Sequence, residues 1–229
     1  MVNFDELPLF PLNTVLFPGV PLPLHIFEPR YIEMIAYCVE YNQPFGVVMI
    51  ASGSETEASA VPCPVGTLAR IATIDRLPEN RLNVIVSGES RFKILQTHGT
   101  RNYLTALVSP MGEEDGDGDL DTMAMRVTDM FKAYLRSRIT KGEQGLSAVI
   151  LPQDPRLLSY AVADAIAIPL IKKQRLLELS STASRLDAEL DLLAAEIEAR
   201  SRPAAPPTPK AGTITPACAA EFRKLISRN

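Results

Sequence analysis

The segment GESRF at residues 88–92 begins like the G-x-S-x-G nucleophile elbow, in which a serine on a strained turn carries out acyl transfer. The elbow needs glycine at its fifth position, because a bulky side chain there crowds the turn. Phe92 occupies that position, and the segment lies among predicted strands rather than between a strand and a helix. The sequence therefore indicates an ordinary turn residue at Ser90.

Histidine and cysteine supply the side chains that zinc prefers, but their spacing in this chain is wrong for a zinc site. His25 and His98 are the only two histidines, and they lie far apart in the sequence. With Cys38 and Cys63 they form none of the close C-x-x-C or H-x-x-x-H pairs that zinc sites use. We favour a hydrogen-bonded structural role for His25.

The acidic run DGDGDL at residues 115–120 resembles the start of an EF-hand calcium loop. Such a loop needs glycine at its sixth position for a sharp turn and a bidentate glutamate at its twelfth. Leu120 and Arg126 stand at those positions. We therefore expect a solvated acidic loop, and we predict no catalytic residue, no metal and no cofactor anywhere in the chain.

Composition narrows the class of protein. The 229 residues are 46% hydrophobic and carry a net charge of −4, which argues against a dedicated nucleic-acid binder with a basic face. No window approaches 18 uninterrupted apolar residues, and the N-terminus carries acids and prolines where a signal peptide needs basic and apolar residues. Three widely spaced cysteines fit reduced thiols. We expect a cytoplasmic protein.

The residues that precede this chemistry form an unusual opening, with five prolines between residues 10 and 35. The prolines divide an apolar run into short extended pieces, which include an edge segment at 22–27. Pro29 is then placed to occupy the first position of a helix. This helix is predicted to run to about Asn42, with one apolar face formed by Ile32, Ile35, Ala36 and Val39.

Strand patterns follow the first helix, and helical patterns follow the strands. A loop is predicted at 51–64, and 111–121 is an acidic divider. The predicted strands are 45–50, 66–77, 81–88, 91–97 and 103–110, which suggest a barrel or a sandwich. Helical periodicity predicts four helices. The first begins at Leu120, the second follows Asp154, a short third one follows residue 174, and the fourth has its apolar stripe over 186–197. The proline-rich segment 202–216 reads as a linker, and the last residues could form a short helix.

Four segments, in order along the chain, resemble the N-terminal domain of Lon proteases, and in particular its free-standing bacterial relatives. They are LPLFPLNTVLFPGVPLPLHIFEPRYIEMI (7–35), PVGTLARI (64–71), RLNVIVSGESRFKIL (81–95) and QRLLELSSTASRL (174–186). The resemblance extends over roughly residues 5–200. It implies an α+β fold in which a PUA-like β pseudo-barrel precedes an α-helical bundle.

The resemblance also implies a function, because in Lon this domain helps to engage substrate polypeptide while other domains hydrolyse ATP and cut peptide bonds. The present sequence contains no G-x-x-x-x-G-K-[ST] phosphate loop and ends soon after the helical region. We expect a proteolysis-related recognition domain without ATPase or protease domains, and not an enzyme. The predicted domains are a strand-rich unit at 1–110, a helical bundle at 111–202, and a linker with a basic tail at 203–229.

The expected partner is an unfolded polypeptide or a specific protein. Two interpretations fit the motif FEPRY at 27–31: the residues start the helix and cap it, or they line a peptide groove. In the second case Phe17, Pro18, Arg30 and Tyr31 border a groove for an extended peptide. Short proline-interrupted strands leave edges that such a peptide could extend through backbone hydrogen bonds.

Two other functions remain open at this point. PUA-like barrels also occur in RNA-binding proteins, but the first 110 residues carry seven basic and ten acidic residues, so no broad field attracts phosphate. The basic residues of the strand region are Arg76, Arg81, Arg91, Lys93 and Arg101. An enzyme with a small-molecule site between barrel and bundle is the third possibility, although no motif identifies its residues.

Overall fold

Strands occupy the first half of the protein and helices the second half, in a computed structural model that describes residues 2–54, 60–99, 101–138 and 151–201. The six strands of the described residues are β1 (Leu7–Leu12), β2 (Pro21–Ile26), β3 (Phe45–Ser52), β4 (Val61–Leu77), β5 (Arg81–His98) and β6 (Thr105–Pro110). The helices are α1 (Pro29–Glu40), α2 (Leu120–Arg138), α3 (Pro155–Ala165), α4 (Leu170–Glu178) and α5 (Thr182–Ser201). The predicted α+β fold class is confirmed. The described residues as far as Ile197 belong to one compact unit.

Five of the strands close into a ring. The order in the sheet is β2-β5-β4-β3-β1-β6, and β6 also pairs with β5, so the series β5-β4-β3-β1-β6 returns to its start. Closure is possible because β5 is long enough to serve two neighbours: its first half pairs with β2 and its second half with β6. This closed ring with one attached strand is the predicted pseudo-barrel.

The prolines of the opening have different surroundings in β1 and β2. β1 pairs with β3 through Leu9–Leu12 and with β6 through Leu7 and Pro8, so it is a member of the ring. β2 pairs only with β5 among the described residues and is therefore an edge strand. The hydrogen bond from the Gly88 N–H to the Val20 carbonyl indicates that even-numbered residues of β2 bond to β5. Pro21 and Pro23 thus face outward, where no N–H is needed.

Two predicted boundaries in the sheet are wrong. β4 begins at Val61, inside the predicted loop 51–64, because Cys63 and Val65 pack into the core shared with the helices. β5 is one continuous strand rather than two, and Gly88 lies within it. A Cβ at Gly88 would lie 2.3 Å from the Phe17 carbonyl oxygen, so this glycine permits a close backbone approach and does not turn the chain.

Helix starts follow the sequence signals. Pro29 and Pro155 occupy the first turns of α1 and α3, where a missing N–H costs nothing. Asp154 caps α3 by accepting a hydrogen bond of 2.9 Å from the Leu157 N–H. The strands end at Pro110 and the next helix begins at Leu120, but the division into domains at 110 and 202 stays a prediction. The predicted linker, basic tail and last short helix lie outside the described residues.

Candidate functional site

Helix α1 carries two apolar stripes, and only one of them faces the core. Its buried residues are Tyr31, Met34, Ile35 and Cys38, which pack on the inner face of the sheet. The apolar face predicted from the sequence consists of Ile32, Ile35, Ala36 and Val39, and of these only Ile35 is among the buried residues. The other three form a second stripe, one step around the helix. Ile32 is half-buried and Val39 is 53% exposed. Hydrophobic spacing alone does not distinguish two adjacent apolar stripes on one helix.

The second stripe forms one wall of an open cavity of about 590 Å³, which we call the apolar groove. The opposite wall is the end of the hairpin formed by β4 and β5. The apolar residues that line the groove are Ile32, Ile35, Ala36, Val39, Ile74, Leu77 and Leu82. Its charged lining residues are Glu40, Arg76 and Arg81. Exposed apolar surface rimmed by polar residues is typical of an interaction site.

A smaller cavity of about 300 Å³ continues the groove toward the C-terminal end of α1. The two cavities share Val39 and Ile74 as lining residues. The smaller one follows β4 from Arg70 to Ile74. The groove is therefore elongated along one strand, a shape that suits a length of chain better than a compact small molecule.

The four residues predicted to bind peptide do not lie on one surface. The Arg30 guanidinium pairs with Glu28 at 2.8 Å and lies 4.5 Å from the centre of the Tyr31 ring. Arg30 and Tyr31 line a separate cavity of about 210 Å³. Phe17 is fully buried, with its ring centre 6.1 Å from that of Tyr160, and Pro18 is also buried. Peptide binding by these four residues stays a prediction.

A second concentration of functional side chains, which we call the polar junction, connects the barrel to the helices. It consists of Arg91 on β5, Glu113 after β6, Tyr160 on α3 and Arg185 on α5. The Arg91 Nε donates to Glu113 at 2.7 Å, and the Tyr160 hydroxyl donates to the same oxygen at 2.6 Å. The Arg185 Nη2 lies 3.7 Å from the other Glu113 oxygen, and its guanidinium stacks 4.0 Å from the centre of the Tyr160 ring.

Backbone carbonyls and a serine hydroxyl accept further hydrogen bonds from the two guanidinium groups. Arg91 donates to the carbonyls of Gly112 (3.0 Å), Leu177 (2.8 Å) and Leu179. Arg185 donates to the Leu179 carbonyl at 2.9 Å and to the Ser159 hydroxyl at 2.7 Å. Both arginine side chains are 0% exposed. The charges of the two arginines are therefore out of contact with solvent.

Burial also sets the protonation behaviour around the junction. Desolvation lowers the pKa of Arg185, yet arginine remains charged because its ordinary pKa is so high. Burial raises the pKa of Tyr160, so its hydroxyl stays a proton donor to Glu113. One turn further along α5, burial raises the pKa of Glu189 well above its ordinary range, partly offset by Arg185. Neither carboxyl oxygen of Glu189 has a hydrogen-bond partner among the described residues.

The other candidates from the sequence have ordinary surroundings. Ser90 is exposed within the continuous strand β5, so the predicted turn at this residue is wrong. The His25 Nδ1 lies 2.8 Å from the Asn83 Oδ1. Burial raises the pKa of the Cys38 thiol to about 12, which keeps it unreactive. In the part of the chain that the structure describes, no cluster of three His, Cys, Asp or Glu side chains could hold a metal ion. Nor is any helix there long and apolar enough to span a membrane.

Sequence reasoning missed both the apolar groove and the polar junction. The groove had a signal in the sequence, namely that α1 has more apolar residues than one stripe can hold. Glu113 had none, because it begins a run of acids that looks uniformly solvated. Its pairing with Arg91 depends on contacts across 22 residues of chain that no local pattern encodes.

Comparison with known proteins places the whole described fold in one family. The model of the family described as "ATP-dependent protease La (LON) substrate-binding domain" matches residues 6–195. A Lon protease of Anaeromyxobacter dehalogenans is 27% identical over 191 residues, which are 82% of this chain but 23% of that protein. This chain thus spans about a quarter of the length of the curated relatives that it matches.

Solved structures agree with the family assignment. A Lon N-terminal domain protein from Xanthomonas campestris superimposes with a TM-score of 0.62 at 26% identity, over 83% of this chain and 98% of that one. The N-terminal domain of a Mycobacterium avium complex Lon protease superimposes with a TM-score of 0.65 over the same shares of the two chains. Its identity is 18%, so it supports the fold alone.

Proposed function

Because this chain belongs to the family of Lon substrate-binding domains, we propose that it is a non-catalytic module that binds polypeptide in the apolar groove. The observation that supports this proposal is the second apolar stripe of α1, which remains exposed beside the β4–β5 hairpin. Removal of such surface from water is favourable by roughly 25 cal/mol per Å² of apolar area. Such a contact requires apolar side chains but no particular ones, which suits a protein that binds many sequences.

The occupant is an apolar polypeptide segment, supplied by an unfolded protein or by a dedicated partner protein. Folded proteins bury such segments, whereas unfolded proteins expose them, so the groove selects by folding state. Arg76 and Arg81 at the hairpin end add a preference for an acidic residue beside the apolar segment. Glu40 on the α1 side opposes a second acidic residue there.

A role in proteolysis extends this proposal. The relatives named Lon protease are about four times as long as the matched region, and their proteolytic activity belongs to those longer proteins. For this chain we propose recognition of polypeptides without peptide-bond cleavage, in the cytoplasm. Two buried reduced cysteines, Cys38 and Cys63, are in keeping with that compartment.

The test is a titration of a fluorescently labelled, permanently unfolded protein with the wild-type chain and two matched variants. Val39→Gln places a neutral polar group in the groove and keeps good helix propensity. Met125→Gln makes a comparable change on α2, outside the groove, at a residue that is 63% exposed. We expect saturable binding, weakened about tenfold by Val39→Gln and unchanged by Met125→Gln, because burial of an unpaired amide costs about 1–3 kcal/mol.

Two results would contradict the proposal. One is the absence of saturable binding to the wild-type chain at tens of micromolar. The other is an equal effect of the two variants, which would assign binding to a surface other than the groove. Circular dichroism of all three proteins establishes that the variants are folded before affinities are compared.

A further inference from the structure

Strand β4 has a length of unpaired edge beside the apolar groove. β3 pairs with β4 only as far as Ala69, opposite Phe45, and the chain before Phe45 turns away into α1. From Arg70 to Leu77 the only strand that pairs with β4 among the described residues is β5, on the other side. An edge of this kind presents backbone N–H and C=O groups to any further strand.

The register of β5 identifies which groups of β4 point toward this edge. Gly88 bonds to the loop before β2 through both its N–H and its carbonyl, so even-numbered residues of β5 face β2. Odd-numbered residues of β5 therefore bond to β4, and the pairs are Ile85 with Thr73 and Asn83 with Asp75. The alternate residues Ile74 and Arg76 then direct their N–H and C=O groups away from β5, toward the groove side.

The two edges of this sheet, on β2 and on β4, differ in their proline content. The outward positions of β2 are Pro21, Pro23 and His25, and the two prolines have no N–H to donate. The segment of β4 from Ile71 to Leu77 contains no proline, although the chain contains 19. Proline is a common means of blocking an edge against added strands. The β2 edge is blocked in this way at two of its three outward positions, whereas the β4 edge keeps all its donors.

Space is available beside the unpaired edge. The cavity of about 300 Å³ borders β4 from Arg70 to Ile74, and the groove continues past Arg76 to Leu77. A strand over Thr73–Leu77 would be about 17 Å long at 3.3 Å per residue. Every second side chain of an added strand would lie on the inner face of the sheet, against Ala36 and Val39 of α1.

We infer that the apolar groove takes its polypeptide as an added β-strand, hydrogen-bonded to the backbone of Ile74 and Arg76. This inference rests on the proposed function and names its substrate class: extended segments with apolar residues at alternate positions. Backbone pairing supplies affinity that does not depend on sequence, and the wall of α1 supplies the preference for apolar side chains. An amphipathic helix, with its own backbone groups satisfied internally, gains nothing from this edge.

The experiment compares two substitutions at one residue. Arg76→Ala removes the guanidinium but keeps the backbone N–H, whereas Arg76→Pro removes both. Because the Arg76 N–H does not pair with β5, proline at this position leaves the ladder between β4 and β5 intact. The probe is a labelled peptide of alternating valine and threonine, eight residues long, with terminal lysines for solubility.

We expect Arg76→Ala to bind the peptide within about threefold of the wild-type affinity and Arg76→Pro to bind at least tenfold more weakly than Arg76→Ala, since one hydrogen bond is lost and the edge is blocked. Equal affinities of the two variants would overturn the strand inference. If Val39→Gln then still weakens binding, the groove proposal survives alone. No binding by the wild-type chain overturns both.

Hydrogen exchange gives a second test that needs no variant. Addition of a strand predicts that the amides of Ile74 and Arg76 gain protection when the wild-type chain is saturated with the peptide, while the amides of Thr73 and Asp75, already paired with β5, change less. Saturated binding without new protection at Ile74 and Arg76 would overturn the inference. It would leave the apolar groove as a site that binds through side chains alone.

Discussion

The polar junction and the apolar groove lie on the same barrel, but the first buries charged side chains and the second exposes apolar ones. The junction encloses two arginine side chains completely and pairs them with Glu113, a serine hydroxyl and backbone carbonyls. The groove leaves aliphatic side chains such as Val39 facing solvent. The difference shows that charge by itself does not identify a binding site, because the two arginines of the junction are inaccessible.

Burial of charge in the junction and exposure of apolar surface in the groove both cost free energy, but the two costs are offset in different ways. Burial of an ion pair costs several kcal/mol per ion in desolvation, and only good geometry and further hydrogen bonds recover that cost. The junction provides both, so the loss of one member is expected to be severe. In the groove the unfavourable feature is apolar surface in contact with water, and this cost remains until a partner covers the surface.

The largest expected effect comes from Arg91→Ala. This change removes one charged partner of Glu113 and leaves the Gly112 and Leu177 carbonyls without their side-chain donor. We expect a loss of about 3–5 kcal/mol in the free energy of unfolding, measured by urea denaturation. Lys93→Ala, an exposed residue on the same strand, should change stability by less than about 0.5 kcal/mol. A loss below about 1 kcal/mol for Arg91→Ala would contradict the prediction that the junction contributes more to stability than exposed residues do.

Tyr160→Phe tests a single bond of the junction. The phenol donates to a carboxylate at 2.6 Å, and hydrogen bonds to charged groups contribute about 1.5–3 kcal/mol. We expect a loss of that size in urea denaturation. Tyr41→Phe, at an exposed tyrosine after α1, serves as the control and should be nearly neutral. An equal effect of the two variants would mean that the Tyr160 hydroxyl is not bound to Glu113 in solution.

Glu189, one turn beyond Arg185 on α5, gives the stability of the protein a pH dependence. Burial raises the pKa of Glu189 in the folded state, so the folded protein binds a proton that the unfolded chain releases. The contribution to stability is thus fully present below the unfolded pKa and is lost as pH rises toward the folded pKa, with a limit of about 1.4 kcal/mol per pH unit. Glu189→Gln should remove this slope. Parallel stability curves for the two proteins between pH 4 and 8 would contradict the assignment.

The smallest expected effect on stability is that of a substitution in the groove. Val39→Gln should leave the free energy of unfolding within about 0.5 kcal/mol of wild type, because the residue is half exposed and glutamine is a good helix former. The same variant is expected to weaken polypeptide binding about tenfold. A large loss of stability would show that Val39 belongs to the core and would make its effect on binding uninformative.

Local signals in the sequence were sufficient for the order of elements but not for their assembly. Pro29 and Asp154–Pro155 mark helix starts because caps and proline act within one turn. The closure of the ring between β5 and β6, and the direction of the second stripe of α1, depend on contacts between distant segments. The same limit applies to Glu113, whose partners come from β5, α3 and α5. The family resemblance supplied the barrel that spacing alone left undecided between barrel and sandwich.

The most direct measurement of the central claim is a nuclear magnetic resonance titration of the ¹⁵N-labelled chain with an unlabelled unfolded polypeptide. We predict saturable shift changes in α1 between Ile32 and Val39 and in the hairpin between Ile74 and Leu82, with the amides of Arg91 and Arg185 unchanged. Changes concentrated at the cavity of Arg30 and Tyr31, or among the helices that follow the barrel, would contradict binding in the apolar groove.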